Sequence, residues 1–116
     1  MNKKPKISEA AIQIQVVDWC DRNNVIVFAT PNGMFLGSGN QRGRVAFYMH
    51  KQKLQGLRPG VPDLFFPHLK LFIELKRPGG RLSANQKKWI AELEKTYGVH
   101  VAYSYKDAIS IIQDYM

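Results

Sequence analysis

The first hydrophobic pattern in the chain has the spacing of an α-helix. Apolar side chains recur at intervals of three and four positions from Ile12 to Cys20, and Ser8 stands where a helix N-cap is expected. The pattern predicts a helix over residues 8–22. A β-branched and aromatic run at residues 25–29 follows it and predicts the first strand of a sheet.

The middle of the chain contains a glycine-rich segment and two apolar runs. Four glycines make residues 30–43 a predicted loop, and they do not match a phosphate-binding fingerprint because no Gly-Lys-Ser/Thr closes them. Residues 44–55 predict a second helix that ends at Gly56. Residues 61–66 and 71–76 predict two strands, and the short connection between them favours an antiparallel hairpin.

The last third of the chain repeats the alternation of helix and strand. Ser83 and Gln86 have the spacing of a capping box, which predicts a helix that runs to Tyr97. A further strand is predicted at residues 99–103, and an apolar stripe starting at Ala108 predicts a closing helix. Three residues of the helix before it are expected to face the core: Trp89, Ile90 and Leu93.

This order of elements predicts an α/β fold, a mixed sheet with helices packed on it. A chain of 116 residues is about the size of one domain, so we expect a single unit over residues 1–116 with a basic tail at residues 1–7. No apolar run reaches the roughly 18 residues needed to cross a bilayer. Cys20 has no partner cysteine for a disulfide, which is typical of a cytoplasmic protein.

Positive charge is concentrated in the middle of the chain. The whole sequence has 17 Lys and Arg against 9 Asp and Glu, and residues 41–88 hold 11 of the former and only 2 of the latter. Such a segment attracts polyanions, so nucleic acid is the first partner to consider, although a soluble surface can also simply be basic. The predicted phosphate-positioning residues are Arg42, Arg44, Lys51, Lys53, Arg58, Arg77, Arg81, Lys87 and Lys88.

Two carboxylates and an amine fall together in the predicted hairpin. Because side chains alternate along a strand, Glu74 and Lys76 lie on one face, with Phe72. If the turn spans residues 67–70, Asp63 lies opposite Glu74 on the neighbouring strand. Paired carboxylates suit a hard divalent cation such as Mg²⁺, and an adjacent amine can contact water and phosphate. The alternative is a partly buried ion-pair network that only stabilises the hairpin.

Four ordered segments resemble the signature of the VRR-NUC domain, a member of the PD-(D/E)XK restriction-endonuclease-like superfamily. They are Gly60-Val-Pro-Asp63, Phe72-Ile-Glu74-Leu-Lys76, Gly80-Arg-Leu-Ser83 and Gln86-Lys-Lys-Trp89. The resemblance implies that Asp63, Glu74 and the backbone carbonyl of Leu75 bind Mg²⁺ or Mn²⁺. It also implies that Lys76 orients or activates the attacking water. The fold that the resemblance implies is α/β, with a restriction-endonuclease-like mixed β-sheet core (αβββαβ) flanked by helices.

The resemblance extends to three further residues, each of which also has a simpler explanation. Gln86 matches a recurrent glutamine near the metal or the substrate phosphate, but it also completes the capping box with Ser83. Glu9 matches an acidic residue that assists metal or water binding, but an acid in the first turn also stabilises a helix. Asn32 matches a frequent asparagine at the edge of the site, but asparagine is also a common turn residue.

The resemblance implies a metal-dependent DNA endonuclease that uses activated water. Stand-alone minimal members of the family, from viruses and bacteria, are homodimers that prefer branched DNA such as four-way (Holliday) junctions, and larger members are repair nucleases. The length of this chain favours the minimal type, acting in a bacterial or virus-infected cell. Two alternatives stay open: a nuclease on nicked or linear duplex DNA in restriction or packaging, and a catalytically weak DNA-binding module of the same fold.

Overall fold

The fold is described for residues 6–31 and 50–116 of a computed structural model. The predicted loop beyond residue 31 and residues 44–49 of the predicted second helix lie outside the described residues, as do Asn32, Arg42 and Arg44. Residues 50–54 are helical. The other elements are α1 (Glu9–Arg22), β1 (Phe28–Ala29), β2 (Leu64–Phe66), β3 (Leu71–Leu75), α2 (Ala84–Leu93), β4 (Gly98–Ala102) and α3 (Tyr105–Tyr115).

The four strands form one mixed sheet in the order β1-β2-β3-β4. The first three strands pair antiparallel, and β4 joins β3 in parallel after the crossover through α2. This arrangement confirms the predicted α/β class and mixed sheet. None of the helices within the described ranges is long and apolar enough to span a membrane.

One face of the sheet carries the main hydrophobic core. Leu64, Phe66, Leu71, Ile73 and Leu75 point to this core face and are fully buried. Two helices cover them with buried residues of their own, which are Ile12, Val16 and Cys20 in α1 and Ala108 and Ile112 in α3. The predicted N-cap of α1 is confirmed, since the Ser8 hydroxyl accepts a hydrogen bond of 3.0 Å from the amide of Ala11.

The strands are shorter at some ends than the apolar runs predicted. The run at residues 25–29 pairs only through Phe28 and Ala29, because continuing the register would place Ile26 opposite Pro67, which begins the turn and has no amide to donate. Residues 61–63 stay outside the ladder, where Pro62 has no amide to donate. The strand expected at residues 71–76 ends at Leu75, although the amide of the next residue still donates to Ala102 at 2.9 Å, and the strand expected at residues 99–103 spans Gly98–Ala102.

Two predictions about α2 are wrong. The helix ends at Leu93 rather than Tyr97, because the chain turns there to bring Gly98 into register with Leu71. None of its residues is fully buried, so the apolar residues Trp89, Ile90 and Leu93 do not belong to the main core. The helix contacts β4 from the face opposite the core, and its capping box at Ser83 is confirmed.

The second face of the sheet, opposite the core face, has two neighbouring rows of side chains. The first row is aromatic: the rings of Phe28 and Phe65 are 5.6 Å apart between centroids, and those of Phe65 and Phe72 are 4.4 Å apart. Tyr97 packs edge-on against both Phe65 and Phe72. The second row lies two residues farther along the strands, about 7 Å from the first, and it carries Glu74. The second face therefore combines an apolar surface with a charged one.

Gly60 fixes the distance between this face and α2. Its φ of +98° lies in the region that favours glycine, and a Cβ built on it would lie 2.7 Å from the backbone carbon of Asn85. No side chain fits there unless α2 moves. Gly60 precedes the Pro62-Asp63 segment and Asn85 precedes Gln86, so this contact brings the two parts of the predicted site together.

We therefore expect Gly60→Ala to be more destabilising than Gly79→Ala. Gly79 also has a positive φ, +82°, but its Cβ would meet nothing within 4 Å, so it reports the backbone strain alone. Strain of this kind costs about 1–2 kcal/mol, and the steric overlap at Gly60 adds about 1–3 kcal/mol. Urea unfolding of the two variants measures the difference, and equal losses would show that the Gly60–Asn85 contact is not restrictive.

Candidate active site

Asp63 lies opposite Glu74 across the β2–β3 hairpin, as the symmetric turn predicted. Leu64 pairs with Ile73, so the residues immediately outside this pair face each other. The Oδ2 atom of Asp63 accepts a hydrogen bond of 2.8 Å from the amide of Leu75. This bond attaches the Asp63 side chain to the strand that carries Glu74.

Glu74 is the most deeply buried charged residue in the part of the chain that is described. It is 2% exposed, and its Oε1 atom accepts a hydrogen bond of 2.8 Å from Nε2 of Gln86. Nζ of Lys76 lies 3.9 Å from the same oxygen, close enough for an ion pair but too far for a good hydrogen bond. The amide of Gln86, a neutral group, is therefore closer to this carboxylate than the ammonium group of Lys76 is.

Gln86 combines the two roles that the sequence offered as alternatives. Its Oε1 atom accepts from the amide of Ser83 at 2.8 Å, while the Ser83 hydroxyl accepts from the Gln86 amide at 3.1 Å, which completes the capping box. Because Oε1 is used in this way, Nε2 is directed at Glu74. The start of α2 thus fixes the orientation of the amide group in the site.

Burial raises the pKa of Glu74 to about 8, and the negative charge of Asp63 adds to the shift. The positive charge of Lys76 lowers this pKa, the negative charge of Glu9 raises it, and a hydrogen bond from the backbone of Asp63 lowers it. Glu9 stands in the first turn of α1, and its negative charge acts on Glu74 from there. At neutral pH, ionised Glu74 is therefore an unfavourable state that a cation would relieve.

Lys76 is held by its surroundings at the end of β3. The residue is 8% exposed, and a Cβ on Gly80 would lie 3.3 Å from its Cβ and 3.4 Å from its Cδ. The chain after the strand therefore folds back onto the aliphatic part of the lysine. This packing limits the positions that the ammonium group can reach beside Glu74.

Thr30 supports the site and was not singled out by the sequence. Its amide donates to the carbonyl of Asp63 at 2.9 Å, and its hydroxyl donates to the carbonyl of Pro62. These bonds hold the segment that carries Asp63 against the end of β1. A threonine after a short strand gives no signal by itself, because its role depends on long-range pairing.

The predicted basic residues have different environments. One guanidinium nitrogen of Arg58 donates to the carbonyls of Lys53 and Leu57, so this arginine helps to end the helical segment at residues 50–54. Several others are exposed to solvent: Lys51, Lys53, Arg77, Arg81, Lys87 and Lys88. Arg42, Arg44 and Asn32 lie outside the described residues.

The donor set of the site is made of oxygen atoms. Within residues 6–31 and 50–116, no three or more His, Cys, Asp or Glu side chains are grouped so as to hold a metal ion. Two side-chain carboxylates, those of Asp63 and Glu74, do face each other. The N–H and C=O of a residue in a strand point to the same neighbour, so the carbonyl of Leu75 is directed toward the Asp63 side. Such donors are those that Mg²⁺ and Mn²⁺ prefer.

Comparisons with known proteins agree with the fold. The family model of the VRR-NUC domain matches residues 7–106. A solved structure titled "VRR_NUC domain protein" superposes with a TM-score of 0.73, covering 96% of this chain and 89% of that chain at 23% identity. At this identity the superposition establishes the fold alone. Among the curated proteins compared, none matches.

Glu74→Gln is expected to stabilise the metal-free protein at alkaline pH. Because the folded-state pKa is raised to about 8, ionisation of Glu74 opposes folding, and stability falls as pH rises from about 4.5 to about 8. The glutamine removes this loss, and we expect a gain of about 2–4 kcal/mol at pH 8.5 and little gain at pH 5.

Urea unfolding with EDTA across this pH range measures the effect. Glu92→Gln is the matched control, since Glu92 forms an exposed ion pair with Lys95 at 3.2 Å. A pH-independent difference between wild type and Glu74→Gln would contradict the raised pKa.

Proposed function

Because the chain belongs to the VRR-NUC domain family, whose members are nucleases of the restriction-endonuclease-like fold, we propose that it is a Mg²⁺- or Mn²⁺-dependent endonuclease that cuts branched DNA. As a nuclease it is a hydrolase, and DNA is its substrate. The proposal depends on one observation above all. Asp63, Glu74 and Lys76 meet on one face of a hairpin, with Glu74 buried and next to like charge.

A divalent cation fits the electrostatics of these residues. Two facing carboxylates repel each other, and Lys76 at 3.9 Å compensates only part of their charge. We infer that Asp63, Glu74 and the carbonyl of Leu75 hold the ion, while Glu9 contributes negative charge from α1. When bound, the ion would polarise a phosphoryl oxygen and lower the pKa of water.

The protein groups then have separate tasks in hydrolysis. Lys76 donates hydrogen bonds that orient the attacking water and a phosphate oxygen. Gln86 holds Glu74 in position through its Nε2 atom, and the packing of Gly80 on the lysine stem keeps the ammonium group beside the carboxylate. Fixed donors of this kind stabilise the charge that develops on phosphate in the transition state.

The arrangement of charge supports binding of the DNA backbone around the site. Arg77 and Arg81 follow β3, and Lys87 and Lys88 belong to the first turns of α2, so these cations flank Glu74 and Gln86 on both sides. Each is exposed and separately contributes little. Together they supply a sequence-independent attraction that weakens as salt is raised.

A homodimer acting on branched DNA is the finer part of the proposal. Two copies related by a two-fold axis would present two sites to the two-fold symmetric crossover of a four-way junction. The candidates for the dimer surface are residues 33–57, of which the structure describes residues 50–57, and the last helix.

Lys76→Ala is expected to bind DNA but to cut it at least about a hundredfold more slowly, because one transition-state donor is lost. The test measures cleavage of matched four-way junction, flap, nicked and linear DNA with Mg²⁺, Mn²⁺ or EDTA. Lys106→Ala, at an exposed lysine of α3, is the control. Equal cutting of all four substrates would remove the preference for branched DNA. Full activity of Lys76→Ala would show that Lys76 has no catalytic role and that its ion pair with Glu74 is only structural.

Metal binding is expected to release a proton, because Glu74 is largely protonated below its pKa of about 8 and binds the ion as a carboxylate. The affinity for Mn²⁺ should rise about tenfold per pH unit from pH 6 to 7.5. Titration calorimetry in buffers of different ionisation enthalpy counts the protons. Glu74→Gln should bind Mn²⁺ weakly and release none, and a pH-independent wild-type affinity would contradict the assignment.

A further inference from the structure

A cavity of about 560 Å³ opens over the aromatic row on the second face of the sheet. We propose that it binds one unpaired nucleobase of the DNA, next to the phosphate that is cut. The inference rests on the proposed nuclease function and adds the part of the substrate that is recognised. Among the described residues, those of its wall that carry the argument are Phe28, Phe65, Phe72, Thr30, Gln52 and Arg58.

The cavity lies on the same face of the sheet as Asp63 and Glu74, one row of side chains away. Phe65 pairs with Phe72 in the ladder, and the next pair of this face is Asp63 with Glu74, two residues along each strand or about 7 Å away. Thr30 lines the cavity and also bonds to the segment that carries Asp63. A nucleotide whose phosphate lies at the carboxylates would thus have its base within reach of the aromatic wall.

The wall has the chemistry of a base-stacking surface. Sequence alone favours a core position for Phe65, and its neighbour Phe66 is indeed fully buried in the core. Phe65 points to the second face instead, between Phe28 and Phe72. Phe28 is 53% exposed on the edge strand, so one ring of this row presents much of its surface to an incoming group. Bases stack on such rings with little dependence on sequence.

Polar groups in the wall suit a nucleotide better than a purely apolar partner. Gln52 lines the cavity, and its Oε1 atom, although shielded from solvent, has no hydrogen-bond partner among the residues that are described. Arg58 gives the described lining a positive charge, and no Asp or Glu is present in that lining. One positive charge beside an aromatic wall matches the phosphate and the base of a nucleotide.

An unpaired base would enter this cavity more readily than a paired one. A base in a duplex must first leave its partner and its stack, whereas a base at a flap or branch point has already lost part of these contacts. The cavity therefore supplies a physical reason for a preference for branched over fully paired DNA. The preference would come from the shape of the substrate rather than from its sequence.

Photocrosslinking tests contact with the base without any need for cleavage. 5-Iodouracil is placed at the single unpaired position of a flap, or at the same position in a fully paired duplex, and each DNA is irradiated with the wild-type protein in EDTA. We expect adducts at Phe28, Phe65 or Phe72 from the flap and few from the duplex. Adducts confined to other residues, or equal yields from both DNAs, would overturn the proposal.

Phe28→Leu tests the contribution of stacking, because it keeps an apolar side chain on the edge strand and removes the ring. The ratio of affinities for flap and paired duplex should fall about tenfold, which corresponds to about 1.4 kcal/mol. Ile14→Ala, at a 70% exposed apolar position of α1, should leave the ratio unchanged. Thermal unfolding of both variants confirms that they are folded.

Other outcomes separate this proposal from its alternatives. An equal loss of affinity for both DNAs would assign Phe28 a general structural role and overturn the base site. A change in solution mass of Phe28→Leu from two copies to one would make the cavity an interface between copies, which also overturns it. If the wild type forms the flap adduct but shows no metal-dependent cleavage, the base site stands and the proposed nuclease activity fails.

Discussion

The burial of one carboxylate, that of Glu74, determines how the site is built. An acid with 2% exposure is unfavourable in its ionised form, so its neighbours must compensate for the water it has lost. Gln86 provides a short hydrogen bond and Lys76 provides charge at a longer distance. Asp63, by contrast, raises the pKa and increases the cost. This imbalance distinguishes the group from an ordinary buried ion pair, in which opposite charges are matched.

The alternation of side chains in β3 makes the arrangement possible. Leu71, Ile73 and Leu75 fill the core face, which leaves Phe72 and Glu74 to the second face. One side of this strand therefore packs in the core and stabilises the fold, while the other side carries the candidate catalytic carboxylate. Burial under α2 then gives Glu74 the low-dielectric surroundings that strengthen every electrostatic contact it makes.

Local pattern predicted much of the hairpin. The four-residue turn fixes the register that brings Asp63 opposite Glu74, and strand periodicity places Lys76 beside it. The role of Thr30 and the position of Phe65 depend on how separate segments meet, which composition does not encode. A phenylalanine in a strand is more often part of the core, but both faces of this sheet carry apolar side chains, and Phe65 lies on the face opposite the core. The end of α2 was also missed, because tertiary pairing of Gly98 overrides helix propensity there.

The capping box at the start of α2 has a consequence for how this site can change during evolution. Ser83 takes the oxygen of the Gln86 amide, so only the nitrogen is presented to Glu74. A glutamate at position 86 would satisfy the same cap and keep the helix, but it would place an acceptor where Glu74 needs a donor. Positions 74 and 86 can therefore change only together, although the cap by itself would accept either residue at position 86.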